Sequence, residues 1–227
     1  MIGTNRLGSS SSVLGAGRET TISAGVDAGE RRLDRAFNCI SAGMGLLILS
    51  PVLLGIAVLV KLLYGGPVFY CPERAGKMNT LFRLYKFRTM IQDADRVGPA
   101  ITSAGDKRVT PFGRLLRRYK LDELPQLINV LIGDMNFVGP RPEDPRYTNL
   151  YTEEQRRVLR FKPGITSPAS LQFSREEELL TGEEFLTAYV NDILPRKIRL
   201  ELEYFPNRTL GSDMKLIART IAAIGKS

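Results

Sequence analysis

Histidine is absent from all 227 residues. That removes the commonest general base near neutral pH, the Ser-His and Cys-His nucleophile pairs and most zinc sites. Acid–base or nucleophilic chemistry must therefore use Asp, Glu, Lys, Tyr, Ser or Thr. Cysteine is scarce: Cys39 and Cys71 have no metal-ligand spacing, and Cys39 lies inside an apolar stretch. No disulfide between them is expected, and a reducing compartment fits. There is no internal repeat and no recognised nucleic-acid-binding motif, which argues against nucleic acid as the partner. Residues 1–30 lack any hydrophobic run and are rich in Gly, Ser, Thr and Ala. They read as a disordered tail, without the early apolar core of a secretory signal.

Acidic residues are outnumbered, with 24 Asp and Glu against 32 Lys and Arg, for a formal charge of +8. Such an excess suits an anionic partner, whether nucleic acid, anionic lipid or a phosphate-bearing substrate. A solvated basic surface accounts for the same number. A membrane segment tips the balance toward lipid headgroups.

That segment is Phe37–Val60; no charge interrupts the run from Ala36 to Val60. At about 1.5 Å per residue a straight helix of this length just spans a core of about 30 Å. Ser50-Pro51 stands in its middle. Proline removes a backbone donor and crowds the preceding turn, so a kink or break is expected there. Ser50 is placed to bond a carbonyl that Pro51 frees. Arg31, Arg32 and Arg35 precede the run and Lys61 follows it. Positive flanks favour the cytoplasmic side, and here both ends claim it. A re-entrant helix–break–helix satisfies both; a kinked helix crossing once is the alternative.

The remainder reads as a mostly helical α+β domain without a large sheet. Short strands are expected at Val68-Phe69-Tyr70 and Phe82–Phe87, and a loop from Asp93 to Asp106. A basic amphipathic helix at the interface is expected over Phe112–Lys120, with Leu115, Leu116 and Tyr119 between arginines. A second helix covers Leu124–Leu131. Thr152 to Gln155 forms a capping-box pattern that opens a helix reaching Arg160. One or two helices fill Glu183–Tyr204, with Pro195 as boundary or kink. The last helix, Leu210–Ile224, carries Met214, Ile217, Ile221 and Ile224 on one face. The implied organisation is a tail over 1–30, a membrane hairpin over 31–64 and a cytoplasmic-face catalytic domain over 65–227.

Candidate chemistry concentrates around Asp122-Glu123. With Pro125 in a first turn, Asp122 reads as a helix N-cap. The helix dipole and nearby guanidinium groups would favour its ionised form, suited to a nucleophile or metal ligand. Glu123 adds a second oxygen donor, and paired carboxylates suit Mg²⁺. An ordinary acidic helix start reads the same way. Pro140 and Pro142 stiffen the backbone about Arg141, and Lys86 and Arg88 share one side of a strand. Three basic elements about an acidic pair point to phosphoryl chemistry with a divalent metal.

Several segments in order then carry a resemblance: Gly66-Pro67-Val68-Phe69-Tyr70, Lys86-Phe87-Arg88-Thr89-Met90, Arg108-Val109-Thr110, Leu121–Gln126, Gly133-Asp134-Met135, Val138–Pro142 and Pro163–Thr166. From about Arg32 to Thr166 the chain resembles the monotopic phosphoglycosyl transferases, or bacterial sugar transferases, in their minimal form. The resemblance implies transfer of a sugar-1-phosphate from a nucleotide sugar, commonly a UDP-sugar, to polyprenyl phosphate at the bacterial inner membrane. It implies that Asp122 forms a covalent sugar-phospho-aspartate as UMP leaves, that Glu123 helps hold Mg²⁺, and that Arg117 and Arg141 bind phosphate. It also favours the re-entrant membrane helix, with Ser50-Pro51 at the break. Asn136 stands where the family usually has Ser. The acidic run Glu176-Glu177-Glu178 matches no motif, and reads as a solvated helix face or a determinant of sugar choice. Oligomeric state is left open, a homodimer included.

Overall fold

The computed structural model describes residues 32–99, 101–181 and 184–225. The expected tail over 1–30 lies outside them.

Helix α1 spans Arg32–Tyr64 and contains Pro51. The chain stays helical through Ser50 and Pro51, so the expected break is not there. Pro51 deprives the Leu47 carbonyl of its normal donor, and the Ser50 hydroxyl donates to that carbonyl at 2.7 Å. One side-chain bond thus replaces the missing backbone bond.

Both ends of α1 are docked on the rest of the chain. Near its start, Arg35 donates to the Val130 and Leu131 carbonyls at 2.6 and 2.7 Å. Asn38 bonds Asn136 at 3.1 Å, and Ala42 is fully buried beside Leu84, Val130 and Met135. Near its end, Ile56 and Val60 are buried against Phe87 and Leu116. Between these anchors Leu47, Ile48, Val52 and Leu54 are exposed, Leu47 by 76%. Fully burying one such side chain is worth about 1.5–3 kcal/mol, so an exposed apolar stripe of this length needs a cover.

Among the described residues the β structure is three two-stranded sheets. Strand β1 (Phe69–Tyr70) pairs antiparallel with β4 (Lys86–Phe87), and β2 (Glu73–Ala75) with β3 (Leu81–Arg83). Strand β5 (Asn136–Val138) pairs in parallel with β6 (Gly164–Thr166). Helix α2 (Pro111–Arg118) is capped by Thr110, whose hydroxyl accepts from the Gly113 amide. Its apolar side is divided: Leu116 is buried, whereas Leu115 and Tyr119 are exposed.

A 3₁₀ turn at Leu121–Glu123 leads into α3 (Gln126–Ile132). Helix α3 packs along α1 and ends on Gly133 at φ 102°, a left-handed position that suits glycine. Arg35 therefore places a cation on the last carbonyls of α3, where the helix dipole favours one.

The short helices α4 (Pro145–Thr148), α5 (Glu153–Arg156), α6 (Pro168–Gln172), α7 (Glu176–Leu179) and α8 (Phe185–Ala188) follow. The capping box is present: the Gln155 amide donates to Thr152, and the Thr152 amide donates to Gln155. After four residues the segment tightens to a 3₁₀ turn over Arg157–Arg160. Pro195 falls in the first turn of α9 (Leu194–Tyr204), into which a π-helical turn over Tyr189–Ile193 runs without a break. Tyr189, Ile193, Leu194 and Ile198 form the C-terminal core with Tyr151, Val158, Phe173 and Leu180.

Helix α10 has the expected bounds, Leu210–Ile224, but its buried face is shifted, keeping Ile217 of the expected residues against the core. Leu216 packs on Val138 and Phe205, and Thr220 bonds Thr166 at 2.6 Å. Met214 and Ile221 are exposed. Hydrophobic spacing identified the helix, while its partner β5–β6 chose the face.

Two glycines make the β5–β6 crossing possible. A Cβ on Gly164 would lie 2.1 Å from the Gly139 nitrogen, and one on Gly139 would lie 2.3 Å from the Lys162 carbonyl oxygen. Backbone cannot yield at those distances. Gly164→Ala is expected to destabilise the protein by about 3 kcal/mol, which thermal unfolding in detergent checks.

Candidate active site

The crossing leads directly into Pro140-Arg141-Pro142. The Gly164 amide donates to the Pro140 carbonyl at 2.9 Å and the Gly139 amide to Thr166 at 3.1 Å. Arg141 leaves this clamped backbone and meets Glu123 with both terminal nitrogens, at 2.7 and 3.5 Å.

Asp122 is not an N-cap. It sits inside the 3₁₀ turn, three residues short of the Pro125 position that precedes α3. Lys120, at φ 54°, turns the chain into that position. A non-glycine residue held left-handed is strained, and such strain concentrates at functional sites. The Asp122 side chain is buried, and its Oδ1 has no hydrogen-bond partner.

The charges correct a second expectation. Burial raises the Asp122 pKa, and the neighbouring Glu123 charge adds to this; Lys86, Arg117 and Lys120 oppose both. The ionised form is thus less favoured than the dipole argument implied. Burial also pushes Glu123 upward, but the charge and hydrogen bond of Arg141 overcome it and hold Glu123 at about 2. Adjacent carboxylates whose acidities are driven apart suit different roles.

The flanking cations are individually fixed. Lys86 lies 5.7 Å from the centre of the Tyr70 ring. Its strand is held by Asn129, which accepts from the Tyr85 amide at 2.9 Å and donates to Arg83 at 2.7 Å. Burial lowers the Lys86 pKa to about 8 against the pull of Asp122. Arg117 donates to Thr89 at 2.9 Å and Thr102 at 3.0 Å, and lies 3.6 Å from Glu177.

Arg88 is not brought to the dyad. Its guanidinium donates to the Tyr64 and Gly65 carbonyls at 3.3 and 2.7 Å, at the end of α1. One nitrogen, Nη2, closes that helix, while Nε and Nη1 are buried without a hydrogen-bond partner.

The acidic run is divided: Glu177 and Glu178 are exposed, as a solvated face requires, while Glu176 is turned inward. Glu176 pairs with Lys197 at 2.8 Å, Glu177 reaches Arg117, and Glu178 reaches Arg175 at 3.9 Å. Lys120 donates to the Ser174 carbonyl at 3.3 Å, so this segment borders the dyad. Sequence reasoning missed Lys120, Thr89 and Thr102 here. Charge spacing alone carries no sign of these long-range pairs.

Among the described residues no cluster of three or more metal-ligating side chains occurs. Two adjacent carboxylates, one with an unpartnered buried oxygen, form an open site. It suits a hard cation that takes its other ligands from phosphate and water. Such a fold and site define an enzyme class that handles phosphate anions at an apolar boundary.

The profile of the bacterial sugar transferase family matches residues 29–227, so this chain belongs to that family. It is 34% identical over 199 residues to the UDP-N-acetylgalactosamine-undecaprenyl-phosphate N-acetylgalactosaminephosphotransferase of Aeromonas hydrophila, covering 85% of this chain and 43% of that protein. It is 40% identical over 194 residues to the undecaprenyl-phosphate glucose phosphotransferase of Komagataeibacter xylinus, covering 82% and 35% respectively. Exopolysaccharide production protein ExoY of Rhizobium meliloti is 33% identical over 205 residues, 84% of each chain. The chain thus spans under half the length of the first two relatives and most of ExoY.

Proposed function

We propose that this chain transfers a sugar-1-phosphate from a UDP-sugar to undecaprenyl phosphate, releasing UMP, through a covalent sugar-phospho-aspartate, a mixed anhydride at Asp122. The product would feed glycoconjugate assembly, such as exopolysaccharide. The carrying observation is the buried Asp122 carboxylate, its Oδ1 unpartnered, bordered by Lys86, Arg117 and Lys120. Two relatives are named for transfer to undecaprenyl phosphate, which supports the same acceptor here. The test is multiple-turnover UMP release from a panel of UDP-sugars, which should require both the lipid phosphate and a divalent metal.

An Asp122 oxygen attacks the phosphorus that bears the sugar. The Asp122–phosphorus bond forms as the bridging P–O bond breaks, and UMP departs with the bonding pair. A phosphate oxygen of the lipid then attacks the same phosphorus and releases the Asp122 carboxylate. No proton transfer is needed, because the second nucleophile is already an oxyanion. This accounts for chemistry without histidine. Lys86, Arg117 and Arg141 offset the repulsion between anions. Asp122 and Glu123 would hold Mg²⁺, which supplies charge neutralisation at the transferring phosphoryl group.

Lys86 gives this reading a pH signature. Its pKa is lowered to about 8, so its positive charge is lost as pH rises through that value. The expected kcat/KM declines above about pH 8. Lys86→Arg should carry this alkaline limb upward by more than about one unit, since guanidinium stays charged. An unshifted limb assigns the decline to another group.

At the membrane, α1 would bend about Ser50-Pro51, its deepest point, and return within one leaflet, with the catalytic domain on the cytoplasmic face. The support is that Arg35 and Val60 dock on the same domain while the middle of the helix is exposed. A helix crossing once would carry one anchor away from that domain. Single cysteines at Arg31→Cys and Lys61→Cys, with Cys39 and Cys71 replaced, are expected to resist impermeant maleimide in intact cells. Labelling of either from outside overturns the re-entrant arrangement.

A further inference from the structure

The stretch Pro140-Arg141-Pro142 has a single backbone donor. Both prolines lack an N–H, so the Arg141 amide is the only one that needs an acceptor. Arg141 lies in neither a helix nor a strand, so no regular ladder supplies that acceptor. It comes instead from far along the chain: the Arg141 amide meets the carboxyl of Glu201, on α9.

Glu201 is 4% exposed. The Ser167 hydroxyl donates to its Oε1 at 2.6 Å, and the Arg141 and Ala169 amides also converge on the carboxyl. Ala169 stands in the first turn of α6, where amides have no partner within the helix. One carboxyl therefore joins α9 to α6 and to the Arg141 backbone. Burial pushes its pKa up to about 8, and Ser167, Lys197 and the two amides draw it back. Its oxygens have lone pairs for the amides in either protonation state.

Lys197, one turn earlier on α9, holds the same loop further on. It donates to Glu176 at 2.8 Å and to Tyr189 at 3.3 Å, and Tyr189 donates to Glu143. Helix α9 thus grips the loop on both sides of Pro142. The Arg141 side chain carries that grip to the dyad, at 2.7 Å from Glu123. This side chain is 40% exposed, so packing alone does not fix its direction. A displacement of about 1 Å in such a group is enough to cost a large factor in rate.

We propose that Glu201 is a positioning residue: it fixes the Arg141 backbone so that the guanidinium meets Glu123 and the donor phosphate together. The inference rests on the transfer reaction proposed above, and it gives the segment after Thr166 a part in that reaction. The full chain in lipid nanodiscs, with undecaprenyl phosphate, Mg²⁺ and a panel of UDP-sugars, would be assayed for UMP release. Glu201→Leu keeps the bulk and removes both acceptor oxygens, and kcat/KM for the best donor should fall about 30-fold. Glu201→Gln returns an acceptor oxygen at the same reach and should recover activity to within about threefold of wild type. In an Arg141→Ala background Glu201→Leu should cost less than about twofold, because the group it positions is gone. A merely structural role lowers activity by the same factor in both backgrounds. That equality overturns the positioning role and leaves the transfer reaction standing, as does a Gln variant no better than the Leu variant. Ser167→Ala frees the Glu201 Oε1 and carries the test if Glu201→Leu fails to fold. It should cost about fivefold with Arg141 present and less than about twofold without it, and equal factors again overturn the role. A wild-type chain that releases UMP from no donor overturns the transfer reaction itself, and the positioning role with it.

Discussion

Asp122→Asn is expected to reduce UMP release by at least about 10⁴-fold while leaving the fold intact. The amide has the shape of the carboxylate but no nucleophilic oxyanion. Folding should survive because Oδ1 bonds nothing in the native protein and the side chain is buried. Removing a buried charge that Glu123 already disfavours should leave the melting temperature equal or higher. Mass spectrometry separates chemistry from binding. Wild-type protein given a UDP-sugar without lipid acceptor should gain the mass of one sugar phosphate, and the Asn variant should gain none. Full UMP release by the variant would exclude Asp122 as the nucleophile.

Arg141→Ala is expected to cost about 10²- to 10³-fold in kcat/KM. Two losses combine. The donor phosphate loses a forked cation, and Glu123 loses the charge that holds it at about 2. The sign follows: a Glu held low is ionised across the working range, and without Arg141 its pKa rises toward the range set by burial. Arg141→Lys should recover only a small part, because an ammonium cannot reproduce the two-nitrogen contact at 2.7 and 3.5 Å. A cycle with Glu123→Gln checks the coupling. If the two substitutions multiplied independently, Arg141 would act on phosphate alone.

Local chemistry made much of this molecule readable. The apolar run, the capping box at Thr152 and the span of α10 follow from patterns within one or two turns. The Ser50 bond to Leu47 was foreseeable because both residues belong to the turn that Pro51 disrupts. Other features could not be read this way. Strands β2, β5 and β6 are three residues each, too short for alternation to register. The Arg35–Val130 and Asn38–Asn136 bonds join residues 95 and 98 apart, and nothing local marks them.

The dyad itself was legible, but its electrostatics were not. The dipole argument needed a helix beginning at Asp122, and α3 begins four residues later, at Gln126. Burial then governs the acidity of Asp122. Lys86 and Arg88 looked equivalent on paper. Only the closing of α1 separates them, because Tyr64 and Gly65 present carbonyls that claim Arg88.

The contact between Gly139 and Gly164 also sets the order in which the enzyme becomes competent as it is made. Asp122 and Glu123 leave the ribosome well before Gly164, yet Arg141 has no fixed backbone until Gly164 bonds Pro140. The membrane helix is synthesised earlier still. The nascent chain can therefore engage lipid while its dyad still lacks the clamped guanidinium. Under the proposed reaction, competence toward a nucleotide sugar would wait for β6 to pair with β5.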